Sequence, residues 1–262
     1  MSGRTRLYGI VADPIAHVKA PVLLNPRFAA AGHDGVLVAL HVSAADLATL
    51  VAGLRRLANF GGFSVTVPHK EAMAKLCDTL TDAARQAGAV NVVRRDADGS
   101  LHGAMFDGEG FCAGLAAAGH AIEGRRVFIA GAGGAASGIG FALAAHGVAA
   151  ITFCNRTRPR AEALAARIRT AFPAVTAGAG GPDPAGHDIV VNTTTLGLQP
   201  DDPLPVDPRL LRPEMLAVEI IMDPAETAFM RAAAARGCRT HPGKPMLDQQ
   251  ITLIGRFMGA PL

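Results

Sequence analysis

The sequence predicts an α/β protein made of two domains, each containing a mainly parallel β-sheet covered by helices. Three observations support this fold class. Short apolar runs alternate with helical stretches along the chain. The length of 262 residues exceeds one typical domain. A glycine-rich turn at residues 131–134 follows one strand-like run directly and opens a helical stretch, as in Rossmann-type domains.

The first half of the chain contains three strand-like runs separated by stretches with helical spacing of apolar residues. Pro68 ends the third run, because proline has no backbone N–H to donate within a sheet. The predicted elements are a strand at 7–11, a helix at 21–31, a strand at 35–41, a helix at 44–57, a strand at 62–67 and a helix from about Lys70.

The second half of the chain shows the same alternation of strand-like runs and helical stretches. We place the boundary between the two domains at residues 106–110. A Gly/Pro-rich stretch at 178–187 is typical of a loop. The other elements are strands at 126–130, 150–154, 188–192 and 217–222 and helices at 135–145 and 158–171. This alternation predicts a doubly wound parallel sheet.

Composition excludes several classes of function. The formal net charge of +3 is too small to indicate a nucleic-acid partner or an anionic membrane. The four cysteines and nine histidines are dispersed, which favours a reduced, cytoplasmic protein without a metal site. No apolar run reaches the ~18 residues of a membrane span. We therefore expect a small-molecule partner and a monomer or homodimer.

The glycine-rich turn is the strongest local signal for a ligand. Its residues are Gly131, Ala132, Gly133, Gly134 and Ala135. Glycines allow a tight turn and a close approach of the backbone to a pyrophosphate, and the helix N-terminus adds free N–H donors. Glycines also serve ordinary turns, but the strand before and the helix after this one favour a dinucleotide site.

The residues after the next strand distinguish NADP from NAD. An NAD site usually has an acidic residue there, which accepts a hydrogen bond from the ribose 2′-hydroxyl. Here the strand is followed by Asn155, Arg156 and Thr157, with Arg158 and Arg160 close behind. Guanidinium groups suit a 2′-phosphate, so we predict NADP with NAD as the alternative. The other interpretation is that these arginines form a solvated helix start.

A lysine and an aspartate are candidates for proton transfer. Thr66 and Lys70 lie at the end of a predicted strand, where open α/β sheets bind ligands. Asp107 lies beside Gly108 after a later apolar run. An aspartate that orients a lysine ammonium next to a substrate hydroxyl makes a proton-transfer pair. Spacing alone leaves open that Lys70 caps a helix or pairs at the surface.

Ordered motifs along essentially the whole chain resemble those of the shikimate/quinate dehydrogenases. The matching stretches are 12–17, 64–71, 88–91, 107–108, 131–135, 155–160, 192–197 and 243–250. The resemblance implies an NAD(P)-dependent oxidoreductase that acts on a CH–OH group by hydride transfer. It also implies a substrate domain of residues 1–106 plus 243–262 and a Rossmann NADP domain of residues 107–242.

The resemblance also implies roles for individual residues. Lys70 and Asp107 become the catalytic pair. Thr66, Asn91 and Gln250 are expected to contact substrate hydroxyls. Ile220 and Gly243 are expected to line the nicotinamide, and the 192–197 loop adds Thr193 to the cofactor site.

The chain departs from the family where the substrate carboxylate is held. Two family serines are replaced by Val18 and Ala20, a family asparagine by Ser64 and a family tyrosine by Met222. The family's Asn-Thr before the catalytic aspartate is Met105-Phe106. A buried carboxylate without hydrogen bonds is costly. We therefore expect a shikimate-like cyclic polyol or ketone whose acid group is absent, modified or held differently; Lys19 is either its cation or a solvated loop lysine.

Two alternatives remain open. The first is a standard shikimate dehydrogenase, or an NAD-dependent quinate-type enzyme, that binds the carboxylate by other means. The second is a ligand-sensing protein on the same fold without catalysis. Such a sensor has no need of the Lys70–Asp107 pair or of a phosphate-binding turn, which makes it the weaker of the two.

Overall fold

The computed structural model describes all 262 residues, which form two compact units. Unit 1 comprises Met1–Asp107 and Gln249–Leu262, and unit 2 comprises Gly108–Asp248. None of the helices combines the length and apolar character that a membrane span requires.

In the structure, the C-terminal part of unit 1 begins at Gln249. The sequence-based division instead assigned residues 243–262 to the first domain. Residues up to 248 belong to unit 2. Met246 is part of the unit 2 hydrophobic core. Gly114 lies so close to Pro245 that an added Cβ atom would be 3.3 Å from the proline Cβ. These contacts keep the first turn of the last helix in unit 2.

Unit 1 contains a six-stranded mixed sheet. Its elements are β1 (Arg6–Ala12), α1 (Ala20–Ala30), β2 (Gly35–His41), α2 (Leu47–Leu54), β3 (Phe60–Val65), α3 (Lys70–Leu76), β4 (Thr79–Leu80), α4 (Asp82–Ala87), β5 (Val92–Arg95) and β6 (Leu101–Ala104). The strand order is β2-β1-β3-β5-β6-β4. Strand β5 is antiparallel to both of its neighbours, β3 and β6, whereas the other pairs are parallel.

Unit 2 contains a six-stranded parallel sheet. The elements from α5 onward are α5 (Asp107–Ala117), β7 (Arg126–Ala130), α6 (Gly134–Ala145), β8 (Ala150–Cys154), α7 (Arg158–Ala171), β9 (Thr176–Ala179), β10 (Ile189–Asn192), β11 (Leu216–Glu219), α8 (Ala228–Ala235), β12 (Arg239–His241) and α9 (Lys244–Phe257). The order β12-β11-β10-β7-β8-β9 is that of a Rossmann-type doubly wound sheet. Helix α9 begins in unit 2 and ends in unit 1.

Both faces of the unit 2 sheet are buried, which explains its continuous apolar strands. Along β7, Val127 and Ile129 pack into one cluster with helices α6 and α7. Phe128 and Ala130 point to the other face and pack with Phe229 of helix α8. The predicted α/β class with a Rossmann-type sheet is therefore confirmed, because both layers and the strand order are present.

Several predicted boundaries were wrong at the ends of elements. Helix α2 is shorter than the predicted 44–57, and β3 ends at Val65 rather than 67. Strand β11 ends at Glu219, so residues 220–222 lie beyond the sheet. The predicted loop at 178–187 begins inside β9.

Candidate active site

The antiparallel strand β5 assembles the candidate catalytic residues of unit 1. Because β5 runs against β3 and β6, its first residues lie at the carboxyl ends of both neighbours. Asn91 immediately precedes β5; its C=O accepts from Val65 N–H at 2.8 Å and its N–H donates to Ala104 C=O at 3.0 Å. Lys70 follows β3 and Asp107 follows β6. The topology therefore brings three polar residues from distant parts of the chain to one edge of the sheet.

The carboxylate of Asp107 is buried and fully engaged. Its Oδ2 accepts a hydrogen bond from Lys70 Nζ. Its Oδ1 accepts from Asn91 Nδ2 at 2.9 Å and from Gln250 Nε2 at 3.3 Å. The side chains of Lys70 and Asp107 are 14% and 5% exposed. The ammonium is thus held against a buried carboxylate while part of it stays accessible.

Asn91 and Gln250 hold this carboxylate and each other. Asn91 Nδ2 also donates to Gln250 Oε1 at 2.7 Å, and Asn91 Oδ1 accepts from Phe106 N–H at 3.0 Å. Both residues are at least nine-tenths buried. The amide hydrogens of Asn91 are both used within the protein, so its geometry fits orientation of Asp107. Direct contact of Asn91 or Gln250 with a substrate hydroxyl stays a prediction.

The stretch expected to hold the far end of the substrate is poor in polar groups. Ser64 lies on the face of β3 opposite Phe63 and Val65, which belong to the core cluster with α2 and α3. Gly62 is on the same face as Ser64, and a Cβ added to it would be 3.1 Å from Met258 at the end of α9. Ser64 is 4% exposed, and its Oγ has no hydrogen-bond partner. A buried hydroxyl without a partner is uncommon in proteins.

The other predicted substrate residues occupy two different units. Val18 is half-buried, and Ala20 is buried at the start of α1. Thr66 is half-buried beyond the end of β3, where its N–H donates to Val11 C=O at 3.0 Å. Met222 is half-buried in unit 2, in the segment after β11.

The glycine-rich turn of unit 2 has the geometry of a phosphate cradle. Gly131 has φ +116°, and a Cβ there would lie 2.4 Å from Thr193 Oγ1. A Cβ on Gly133 would meet no atom within 4 Å, so the turn faces open space at that residue. Helix α6 starts at Gly134 with no side-chain cap and no acidic residue in its first turn. Its free N–H groups and dipole therefore fit an anion.

The arginine cluster after β8 is only partly available for a phosphate. Asn155 Nδ2 donates to Thr157 C=O at 3.0 Å, which shapes the loop. Arg158 donates to Glu162 at 2.8 Å along α7 and is thereby drawn toward the helix. Arg156 is exposed in the loop, as is Arg160 at the start of α7. No carboxylate lies at the end of β8, and this arrangement fits a 2′-phosphate better than a free ribose hydroxyl.

The remaining cofactor candidates follow β10, β11 and β12. Thr193 bonds to Ala130 C=O through its N–H at 2.9 Å and its hydroxyl at 2.7 Å, which ties it to the end of β7. Gly243 lies against the backbone of Ile220 and Ile221, because an added Cβ would be 2.5 Å from Ile221 C=O. The three segments therefore lie at the carboxyl edge of the sheet, next to the glycine-rich turn.

Sequence reasoning missed one buried acidic residue in this region. Glu219 is the last residue of β11 and is 1% exposed. Its carboxylate accepts from the Ile220 N–H and the Ile221 N–H at 2.8 and 3.0 Å. An acidic residue that ends an otherwise apolar parallel strand was the signal available in the sequence.

Two models of known protein families match parts of the chain and define its class of protein. A family model described as shikimate dehydrogenase substrate binding domain matches residues 10–93. One described as shikimate / quinate 5-dehydrogenase matches residues 115–178. These matches confirm the predicted class, a nicotinamide-dependent oxidoreductase that acts on a CH–OH group.

Individual relatives then place the chain in a family. A shikimate dehydrogenase (NADP(+)) of Rubrobacter xylanophilus is 41% identical over 258 residues, covering 95% of this chain and 89% of the relative. The chain therefore belongs to the shikimate/quinate dehydrogenase family, as its motifs predicted.

Two solved structures show what the fold is similar to. Shikimate 5-dehydrogenase from Thermus thermophilus, in complex with NADP(H) and shikimate, is 30% identical with a TM-score of 0.86, covering 98% of this chain and 95% of that one. The ligand-free 5-ketofructose reductase of a Gluconobacter strain is 34% identical with a TM-score of 0.82, covering 98% and 94%. The name of the second structure, 5-ketofructose reductase, describes an enzyme that reduces a keto sugar.

Proposed function

We propose that this chain transfers a hydride between NADP(H) and a ring CH–OH or ketone of a shikimate-like polyol, with Lys70 and Asp107 as the proton-transfer pair. The observation that carries this proposal is the contact between the accessible Lys70 ammonium and the buried Asp107 carboxylate. The cofactor is NADP, in agreement with the relatives' names and the arginine-rich loop after β8.

The residues of the glycine-rich turn and the start of α6 would hold the pyrophosphate, and Arg156 would hold the 2′-phosphate. NADP(H) supplies or accepts the hydride when it is bound. Thr193, Ile220 and Gly243 would form the wall beside the nicotinamide. The uncapped helix start and the absence of a carboxylate after β8 support this assignment.

Lys70 handles the proton. In oxidation, Lys70 first releases one proton to solvent; its neutral Nζ then takes the proton of the substrate hydroxyl as the carbon loses the hydride, which restores the ammonium. In reduction, Lys70 Nζ donates the proton to the carbonyl oxygen as the carbon gains the hydride. Asp107 keeps the amine in place and stabilises its charged form, while Asn91 and Gln250 fix the carboxylate. General acid–base catalysis of this kind contributes about 10²–10⁴-fold to the rate.

The far end of the substrate is proposed to be uncharged. A buried carboxylate needs several hydrogen-bond donors. Leaving a buried neutral polar group without a partner costs ~1–3 kcal/mol, and leaving a charged group without one costs more. Val18 and Ala20 offer none through their side chains, and Ser64 offers one hydroxyl. One buried hydroxyl suits a hydroxyl or carbonyl of a neutral polyol. The similarity to a 5-ketofructose reductase supports this substrate class.

A standard shikimate dehydrogenase is the second candidate. The names of the curated relatives favour it, with Lys19 as the one cation beside the altered residues. Steady-state assays decide between the two: NADP+ and NAD+ are each tested with shikimate, quinate and carboxylate-free cyclic polyols, and NADPH with 5-ketofructose. Efficient NADP+-linked oxidation of shikimate would establish the standard enzyme. Loss of that activity in Lys19→Ala would assign the carboxylate to Lys19, and retained activity would rule out this role of Lys19. Turnover of neutral substrates alone would establish the divergent one.

The catalytic pair is tested separately from the substrate class. Lys70→Ala is expected to lower kcat by about 10²-fold or more on whichever substrate is active, with NADP+ binding unchanged. Lys75→Ala, an exposed lysine of the same helix, is the matched control. Tight NADP+ binding by the wild-type protein without turnover of any of these compounds would instead favour the ligand-sensing alternative.

A further inference from the structure

Glu219 joins three segments of unit 2 through one buried carboxylate. Its Oε1 accepts from the N–H groups of Ile220 and Ile221. Its Oε2 accepts from Asn192 Nδ2 at 3.0 Å and from Thr227 Oγ1 at 2.9 Å. These partners belong to the segment after β11, the last residue of β10 and the residue that caps α8. Asn192, Glu219 and Thr227 are all at most 1% exposed.

The network extends from Glu219 into the loop after β10. Asn192 Nδ2 also donates to Leu196 C=O at 2.9 Å, and Asn192 Oδ1 accepts from the N–H and the hydroxyl of Thr194 at 3.1 and 2.7 Å. A Cβ on Gly197 would be 3.3 Å from Thr227 Cβ, so the two loops are in contact. Fixing Asn192 therefore fixes the backbone that carries Thr193.

Burying the Glu219 carboxylate costs free energy, but the carboxylate satisfies four hydrogen-bond donors around it. Burial raises the pKa of the Glu219 carboxyl, while the Ile221 N–H, the Asn192 amide and the Thr227 hydroxyl act in the opposite direction. An apolar residue at this position would remove the cost of burying a carboxylate. It would also leave two backbone N–H groups and two side-chain donors without their acceptor. The carboxylate thus fixes the conformation of the segments that donate to it, in addition to any effect on the free energy of unfolding.

We propose that Glu219 is a positioning residue that sets the nicotinamide end of the NADP site by fixing the backbone of Ile220 and Thr193 together. This inference rests on the proposed cofactor site. It predicts an asymmetric defect, because Arg156, which would hold the 2′-phosphate, follows β8, and β8 lies on the opposite side of β7 from β10 and β11.

The test compares two ligands by calorimetry. NADPH contains the nicotinamide, whereas adenosine 2′,5′-bisphosphate contains only the phosphorylated adenosine end. In Glu219→Gln, the Kd for NADPH is expected to rise at least about fivefold while the Kd for the bisphosphate stays within about twofold. The fluorescence emission of bound NADPH, which reports the surroundings of the nicotinamide, should shift as well. Glu214→Gln, an exposed glutamate that precedes β11, should change neither Kd.

A purely structural role for Glu219 would weaken both ligands to the same extent, and that result would overturn the proposal, as would no change in either Kd. If Glu219→Gln does not fold, Thr227→Val removes one donor from the network while leaving the carboxylate. It should weaken NADPH selectively, and Thr227→Ser, which keeps the hydroxyl, should restore binding. Equal weakening of both ligands in Thr227→Val would again overturn the proposal. Failure of the wild-type protein to bind either ligand would contradict the proposed function itself.

Discussion

Asn91 donates a hydrogen bond from Nδ2 to Asp107 Oδ1 at 2.9 Å, although the two residues are 16 positions apart, one just before β5 and the other at the start of α5. The same amide accepts from Phe106 N–H, the residue before Asp107. Asn91 therefore fixes both the carboxylate and the backbone that carries it. The proposed proton-transfer pair depends on this asparagine as much as on the lysine.

Replacing Asn91 by alanine should damage activity and stability together. The change leaves the N–H of the half-buried Phe106 without its acceptor and removes one of the two amide donors to the buried Asp107 Oδ1. A buried group left unsatisfied costs about 1–3 kcal/mol, so we expect a loss of about 1–3 kcal/mol in unfolding free energy. Urea unfolding measures the loss, and kcat should fall by about tenfold or more. Asn59→Ala is the control: this exposed asparagine of the same unit makes one side-chain hydrogen bond, to Thr5 C=O at 3.3 Å, so its loss should cost about 1 kcal/mol or less and leave kcat unchanged.

This arrangement also marks the limit of prediction from sequence. The motifs that contain Lys70, Asn91, Asp107 and Gln250 were recognisable, but their convergence depends on β5 running antiparallel between β3 and β6. The hairpin β5–β6 was not predicted, because its strands are short and carry Arg94 and Arg95. The signal was present in the Asp98-Gly99 pair, where Gly99 has φ +86° in the connecting turn.

The Rossmann-type sheet was easier to predict than the unit 1 sheet. Its strands are buried on both faces, so they form continuous apolar runs that end at glycines or polar residues. Strand β12 and helix α8 were missed because the three-residue strand and the alanine-rich helix carry little periodic signal. Glu219 was missed because its partners come from three loops whose proximity only the strand order establishes.

Two glycines of the glycine-rich turn should respond differently to alanine. Gly131→Ala places a Cβ 2.4 Å from Thr193 Oγ1 at a residue with φ +116°, so it should destabilise unit 2 and abolish NADP+ binding. Gly133→Ala meets no protein atom within 4 Å and should keep the thermal unfolding temperature close to that of the wild type. It should nevertheless weaken NADP+ binding about tenfold or more, because the methyl group occupies the space proposed for the pyrophosphate. Unchanged NADP+ binding in Gly133→Ala would place the pyrophosphate elsewhere.

Asn25 should protect the edge of the unit 1 sheet. Its side chain accepts from Leu37 N–H at 2.8 Å and donates to Leu37 C=O at 3.0 Å, so it covers backbone groups of the edge strand β2. Exposed edge strands favour pairing with other chains. Asn25→Leu should lower the unfolding free energy by about 1–3 kcal/mol and increase self-association in size-exclusion chromatography. Asn25→Asp keeps only the acceptor and should show a smaller loss; equal stability of all three proteins would mean that water replaces the amide without cost.

The stability of the protein should fall in mildly acidic solution because of His120 and His241. Their rings lie 5.5 Å apart in an edge-to-face contact. Burial lowers the pKa of both histidines below the ordinary 6.5, with Arg239 adding to the effect on His120 and His120 adding to that on His241. The unfolded chain therefore takes up protons near pH 6.5 while the folded protein resists them, so stability is lost as the pH falls below that value.

His241→Gln removes the more deeply buried of the two imidazoles and should reduce this pH dependence. Unfolding by urea at pH 7.5 and pH 5.5 measures it as the difference between two free energies. The wild type should lose more stability between the two conditions than the variant, and His120→Gln should give an intermediate loss, since His241 stays buried. Asp188 and Glu214 line the same surface hollow as His120 and Arg239. An identical loss in all three proteins would assign the acid sensitivity to groups other than these two histidines.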